Sequence, residues 1–480
     1  MNIAETVCDR HARERPDAVA LVEHRSGNLP AEVTFGELHE RSARIAGGLS
    51  EAGIGSGDRV AITLPQSAEA LAWHLAVLRL GAISVPISPV FSGHALRSRL
   101  GDSGSRLHVR SGTEVPDWGR PVRSAAEVSG DDPAFIFYTS GSTGPPKGVV
   151  TGHRVLEAVV PGFRRVFEEA PKEGDVFWTP SDWSWLGALC EVVLPTLSFG
   201  HRLVACAERF SVDGMYELLA ARGVTCAFLV PHLLRRVCAD PPLPSHELRL
   251  RAVMTGGERL GPSLATDAGR LLGAQVNDDF GLTEGTHLAI GSSRFDTPAG
   301  AVGRALPGRE IAILDEQGAR CPPGVLGEIG ADASDPIVML GYWNQPEATA
   351  ERLRGGWLHT GDLGRIDEEG FLWFEGRRDD VFKVAGVRIA AEEIETVIRT
   401  HPDVVECGVT TTQAGDTGMQ IVAFVQLRDG GHPSDATADA IRELVRAELA
   451  PHARPRVVRF VPEMPRTTTG KIRRGELWSI

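Results

Sequence analysis

The eleven residues Tyr138-Thr139-Ser140-Gly141-Ser142-Thr143-Gly144-Pro145-Pro146-Lys147-Gly148 constrain this chain more than any other stretch. An apolar run, Ala134 to Phe137, precedes them and reads as a buried strand, and a second, Val149-Val150, follows. Between the runs lie glycines, hydroxyls and one lysine. Such a loop can turn backbone N–H groups and hydroxyls inward on a polyphosphate, with an ammonium to offset its charge. Gly141, Gly144 and Gly148 let the backbone approach without a Cβ in the way. The spacing is not that of the common P-loop, because no glycine precedes Lys147 and no Ser or Thr follows it. A plain hairpin loop is the competing reading.

The lysine stands out because the chain has only four: Lys147, Lys172, Lys383 and Lys471. Arginine carries the remaining positive charge. Lysine is a compact point charge and arginine a planar fork, so a chain that avoids lysine yet keeps one in a glycine-rich loop uses the ammonium itself. The net charge of -13 gives no nucleic-acid footprint. No apolar run reaches membrane-spanning length. The first residues, Met1-Asn2-Ile3-Ala4-Glu5, lack the basic and apolar regions of a secretory signal. Seven scattered cysteines, an odd number with no CxxC pair, predict reduced thiols and a cytoplasmic location. At 480 residues the chain can bury more than one core.

The phosphate-type loop resembles that of the adenylate-forming superfamily, which includes acyl-CoA synthetases, peptide-synthetase adenylation domains and luciferases. The resemblance runs from about Asp17 to about Arg474 and is nearest the acetyl- and medium-chain acyl-CoA synthetase branch. It implies a large α/β N-terminal domain, residues 1–377, with mixed sheets and flanking helices. A small mobile α+β C-terminal domain, residues 379–480, would turn about a hinge at Asp379. It also implies ATP, Mg²⁺ and CoA, with a small carboxylic acid as the fourth participant.

Along the first 130 residues the patterns alternate. A helix is predicted over Phe35 to Leu49, a strand over Arg59 to Leu64, a helix over Ala68 to Leu80 and a strand over Ala82 to Ile87. Strand, helix and strand at these lengths predict a parallel unit that serves as scaffold. Three tryptophans then fall in eight residues, Trp178 to Trp185, in a chain with nine. Aromatic clusters usually pack a core. The resemblance instead places Trp185, Leu186 and Gly187 in the acyl pocket, with Gly256 and Gly281. The run Arg251 to Glu258 reads as a strand entering a tight turn, and Gly257-Glu258 resemble the adenine-side loop.

Phe280-Gly281-Leu282-Thr283-Glu284 resemble the family's aromatic-Gly-x-Thr-Glu signature, with Phe280 where tyrosine is common. By that resemblance Asp278, Asp279 and Phe280 belong with the nucleotide, Thr283 with the α-phosphate and Glu284 with Mg²⁺, an ion that takes oxygen ligands. Read without it, Thr-Glu could equally open a helix. Thr360-Gly361-Asp362 and Arg377 resemble the ribose site. Ala385, Gly386, Val387 and Arg388 resemble the pantetheine tunnel, and Thr469-Gly470-Lys471 the catalytic-lysine loop. Thr139 to Gly144 and Lys147 complete the implied nucleotide set.

What the resemblance implies is two half-reactions: acyl-AMP and pyrophosphate form first, with Lys471 at the α-phosphate, and a thiol then takes the acyl group. Transfer to a carrier-protein phosphopantetheine, or a catalytically inactive binding homologue, are the alternatives. The tail also resembles the site that protein acetyltransferases modify, at Lys471. Acetate-specific relatives carry a tryptophan at the position of Gly281. Its loss here predicts an apolar pocket walled by Trp185 and Leu186 and sized for a medium-chain or aryl acid.

Overall fold

The computed structural model describes the chain except residues 114–119, 140–145, 240–246, 378–380, 385–386, 414–418, 429, 450–452 and 467–471, and the side chains of 381–390, 392, 413 and 419. Its residues form two compact units, 1–310 with 331–358, and 311–330 with 359–480. The boundary expected between residues 377 and 379 falls at 378–380, outside the described residues and within the span of the second unit.

In the first unit, Thr34 and Glu37 exchange backbone–side-chain hydrogen bonds of 3.2 and 3.0 Å, a capping box that starts the helix Phe35–Glu51. Ser67 caps the helix Ala68–Arg79 more simply, its hydroxyl accepting from Ala70 N at 3.1 Å. That second helix is buried on nearly every side, which suits its apolar composition. It crosses between the parallel strands Arg59–Thr63 and Ile83–Pro86, as the alternating pattern predicts. Its last residue, Arg79, is fully buried and pairs with the Asp9 carboxylate. Removing Asp9 would leave the buried guanidinium without a counter-charge, and removing Arg79 would leave the Asp9 carboxylate only His39, at 2.8 Å.

These strands belong to a six-stranded sheet in the order Gly341–Tyr342, Lys147–Gly152, Pro133–Thr139, Ile83–Pro86, Arg59–Thr63, Leu107–Arg110. An eight-stranded sheet in the same unit runs Gly285–Ile290, Gln275–Leu282, Ala252–Gly256, Cys226–Phe228, Val176–Trp178, Arg202–Ala205, Val19–Glu23, Ala31–Thr34. Its inner strands are parallel and its outermost pairs antiparallel. Parallel strands with helical crossovers present their chain ends on one side, where ligands of open α/β sheets bind.

The second unit holds a four-stranded sheet, Ile311–Leu314, Gly327–Asp332, Trp357–Ile366 and Leu372–Arg377, apart from strand ends at 331–332 and 357–358. It also holds the hairpin Val381–Val384 with Val387–Ala390 and a three-stranded sheet packed by the helices Ala391–Ile398 and Asp435–Glu448. These elements match the α+β expectation for the C-terminal region. All seven cysteines are free, and no helix among the described residues is long and apolar enough to cross a membrane.

Candidate active site

The phosphate-type loop sits on an antiparallel hairpin. Pro133–Thr139 pairs with Lys147–Gly152, and Thr139 stands opposite Lys147 at the end where the loop joins the strands. Ser140, Gly141, Ser142, Thr143 and Gly144 lie outside the described residues. The Lys147 ammonium stands over the Tyr342 ring, 5.0 Å from its centroid, a cation–π contact. The Tyr342 hydroxyl donates to Glu284 Oε1 at 2.6 Å, and an Arg352 guanidinium nitrogen is 3.7 Å from the same oxygen. Burial, and then the Glu284 charge, push the Tyr342 hydroxyl up, so it stays protonated and donates. Lysine loop and Thr-Glu motif, far apart in sequence, are thus joined through one phenol. Sequence reading missed Tyr342 and Arg352; that the chain has only three tyrosines was the available signal.

Thr283-Glu284 do not open a helix. They are the two-residue turn between the antiparallel strands Gln275–Leu282 and Gly285–Ile290, with Leu282 opposite Gly285. Such a turn holds its two side chains at a sheet edge with little freedom. Glu284 is 8% exposed, and its Oε2 has no partner among the described residues. A single available carboxylate oxygen fits a Mg²⁺ ion whose other ligands are phosphate oxygens and water.

Along Gln275–Leu282 successive side chains face opposite sides. Asp278 and Phe280 share one side. Burial, and then the charge of Asp279, raise the Asp278 carboxyl well above the ordinary range. Asp279 faces the other way. Placed by sequence with the nucleotide, it is instead committed to His287, whose Nδ1 lies 2.9 Å from its Oδ2. Glu258 likewise is engaged by Arg235 at 2.5 Å, beside Gly257 at φ +85°.

The acyl-side residues cluster in the first unit. Trp185 stacks on Phe228 with ring centroids 6.3 Å apart, and its edge lies 3.3 Å from where a Cβ on Gly257 would stand. Leu186 is buried beside them. The three expected pocket glycines have local causes. A Cβ on Gly256 would meet the Asp279 carbonyl at 2.6 Å, and one on Gly281 would lie 3.0 Å from the His287 backbone nitrogen. One on Gly187 would lie 3.2 Å from Glu191 Oε2. Beside Gly187, where the sequence predicts apolar surroundings, Glu191 projects a carboxyl. Burial pushes that carboxyl up to about 8, with Asp279 adding to the shift and His287 opposing it. Burial disfavours charge on His287, but the Asp279 and Glu191 carboxyls outweigh it and hold the imidazole above its ordinary value. Neither Glu191 nor His287 was found by sequence reading. A carboxylate inside the apolar run Leu186 to Leu197 was the signal.

In the second unit Asp362 stands opposite Arg377 across an antiparallel pair, and Arg377 Nε lies 3.4 Å from Asp362 Oδ1. The Thr360 hydroxyl accepts from Asp362 N at 3.1 Å and donates to the Ile329 carbonyl at 2.6 Å. Glu328 accepts from Gly361 N at 2.9 Å and holds His359 at 2.9 Å. This lattice fixes the buried Asp362 carboxylate. Val387 and Arg388 lie in a hairpin strand opposite Val384 and Lys383. Ala385, Gly386, Asp379 and Lys471 fall outside the described residues.

The model of the AMP-binding enzyme family matches residues 8–343, and that of the AMP-binding enzyme C-terminal domain matches 393–471. Acetyl-coenzyme A synthetase of Bacillus subtilis (strain 168) is 31% identical across 99% of this chain and 90% of its own. Benzoate–CoA ligase of Thauera aromatica is 32% identical across 74% of this chain and 67% of its own. The crystal structure of a benzoate CoA ligase from Burkholderia xenovorans LB400 superposes with a TM-score of 0.89 at 26% identity, covering 99% of both chains. On these matches, the chain belongs to the AMP-binding enzymes, the adenylate-forming superfamily.

Proposed function

We propose that this chain is an AMP-forming acid–thiol ligase that activates a carboxylic acid larger than acetate, medium-chain or aryl, and passes the acyl group to CoA. The observation that carries the reading is the link Lys147–Tyr342–Glu284, which sets an ammonium and a carboxylate on either side of one phenol at the phosphate-type loop. The names of the matched relatives, an acetyl-CoA synthetase and two benzoate–CoA ligases, support the reaction class.

In the first half-reaction a substrate carboxylate oxygen bonds to the α-phosphorus of ATP as the bond to the β-phosphate oxygen breaks. Pyrophosphate leaves and acyl-AMP remains. Phosphoryl transfer of this kind needs positioning and charge neutralisation more than covalent help. Lys147 offsets phosphate charge, and Tyr342 holds the Glu284 carboxylate in one orientation. Mg²⁺, when bound at Glu284, supplies charge neutralisation on the phosphates. Asp362 and Arg377 hold the ribose hydroxyls, and Lys471 stabilises charge at the α-phosphate. In the second half-reaction the CoA thiolate attacks the acyl carbonyl and AMP departs.

The test is ATP–pyrophosphate exchange across a panel of acids, followed by thioester formation with free CoA and with a phosphopantetheinyl carrier. Lys471→Ala should abolish exchange yet spare thioester formation from supplied acyl-AMP. Equal loss of both half-reactions would remove Lys471 from this role, a preference for carrier over CoA would change the acceptor, and silence with every acid would sink the ligase reading.

A further inference from the structure

Three buried side chains on the acyl side have unmet hydrogen-bonding capacity. Glu191, Asp279 and His287 are 6%, 5% and 0% exposed, and one donor or acceptor atom of each lies within 4.8 Å of the others. His287 Nδ1 is taken by Asp279 Oδ2. The opposite atoms, His287 Nε2 and Asp279 Oδ1, are buried without a partner, and the Glu191 carboxyl has no hydrogen bond or ion pair among the described residues. Leaving the buried atoms of His287 and Asp279 unbonded is costly, because neither protein nor solvent replaces the lost hydrogen bond.

The backbone holding these groups is irregular in the same place. Glu191 is the centre of a π-helical turn, Leu189–Val193, a rare conformation found frequently at functional sites. His287 has φ +49°, a left-handed conformation that costs a non-glycine residue energy. Under its ring lies Gly162, where a Cβ would come within 2.5 Å of the imidazole. Two strained segments and a glycine cradle converge on one set of unsatisfied polar atoms.

A metal ion does not suit the set. His287 Nε2, Asp279 Oδ1 and the Glu191 carboxyl would hold an ion only with the ring neutral and Glu191 ionised, whereas burial favours a proton on Glu191 and the neighbouring carboxyls favour one on His287. An organic group does suit it. A single oxygen or nitrogen bonded at about 2.8 Å to two atoms spans roughly 4.8 Å between them. The aromatic pair Trp185–Phe228 and Gly187 give this polar end an apolar approach.

We propose that the acyl substrate carries a hydrogen-bond-donating substituent, a hydroxyl or amino group away from its carboxylate, which docks on Glu191 beside His287. This rests on the ligase reading and narrows its substrate class. A site built to bond such a group rejects the analogue that lacks it far more strongly than an apolar pocket rejects a missing methylene, because the site's own polar atoms then stay unpaired.

The experiment measures kcat/KM in pyrophosphate exchange for matched acids: benzoate against its three hydroxy and three amino isomers, and hexanoate against 6-hydroxyhexanoate. At least one hydroxy or amino acid should exceed its parent by about 100-fold or more. Glu191→Leu should cut that ratio below about 5-fold in protein that keeps its native circular dichroism. Should that variant not fold, Glu191→Met, which keeps the side-chain length and removes both oxygens, must by itself lower the ratio at least about 5-fold. Parent acids that match or beat every substituted one overturn the inference while leaving the ligase reading standing, and so does a ratio that survives in folded Glu191→Leu. A stoichiometric metal ion in the purified protein that Glu191→Leu loses also overturns it. Silence with every acid removes the ligase reading, and this inference falls with it.

Discussion

Tyr342 does two jobs with one ring. Its face meets the Lys147 ammonium and its hydroxyl meets Glu284 Oε1 at 2.6 Å. A hydrogen bond to a charged acceptor contributes about 1.5–3 kcal/mol. Tyr342→Phe keeps the ring and removes only the hydroxyl, leaving Arg352 at 3.7 Å as the remaining described partner of that oxygen. The carboxylate is then free to swing towards arginine. Exchange activity should fall about 10- to 100-fold, with the Mg²⁺ concentration for half-maximal rate raised and the KM for the acid little changed. A rise in the acid KM alone would mean that Tyr342 serves the acyl site instead. Glu191, by contrast, shows what a sequence conceals at this scale. It sits in a run of leucines and valines, and its neighbours Asp279 and His287 come from a distant hairpin, chosen by sheet order rather than spacing.

Elements were more legible than single residues. The helices Phe35–Glu51 and Ala68–Arg79 and the strands around them follow from apolar periodicity and caps, and the hairpin flanking Lys147 follows from two apolar runs around a glycine-rich loop. Less legible was how the strand Gln275–Leu282 turns: Thr283-Glu284 make a hairpin turn, and the return strand brings His287 against Asp279. That return strand changes what Gly281 means. A tryptophan there reads from sequence as a plug that would shift the pocket towards acetate. In the structure a Cβ at 281 lies 3.0 Å from His287 N, 3.2 Å from Thr286 Cα and 3.3 Å from the Gly285 carbonyl, all backbone of the facing strand. Backbone in a sheet yields little, and overpacking of this kind costs about 1–3 kcal/mol. Gly281→Trp should therefore lower the melting temperature by several degrees and reduce exchange with all acids together. A folded variant with a gain in acetate kcat/KM would show that the hairpin moves aside and that the position does set acyl size.

At the scale of the molecule, the first unit carries buried groups that titrate in opposing directions, and together they set where it is most stable. His74 and His153 are buried, and burial lowers them from 6.5 to about 3 and about 4. The unfolded chain takes protons at these sites below pH 6.5 and the folded one does not, so their contribution is lost as pH falls below 6.5. Glu191 runs the other way. Its folded value of about 8 stands above the ordinary 4.5, so the folded chain keeps a proton that the unfolded chain releases. Its contribution is present below pH 4.5 and is lost as pH rises towards 8. Asp278 and His287, both raised, share that sign. Between pH 4.5 and 6.5 the two histidines, joined by His11, His24 and His108, which burial also lowers, outweigh the two raised carboxyls, and above 6.5 only the declining contributions remain, so denaturant stability should peak near pH 6.5. Seven of the nine tryptophans, at 73, 118, 178, 183, 185, 343 and 357, fall in the first unit's span, so their fluorescence reports mainly on it. Glu191→Gln stays neutral at every pH, and a tenfold difference in proton affinity between folded and unfolded chain corresponds to about 1.4 kcal/mol. The variant should gain on the wild type by on the order of 2 kcal/mol between pH 5 and 8, flattening the alkaline limb and leaving the acid limb in place. Parallel curves for the two proteins across that window would mean that Glu191 is already ionised in the folded chain, with a cation or water supplying the partner that protonation makes unnecessary.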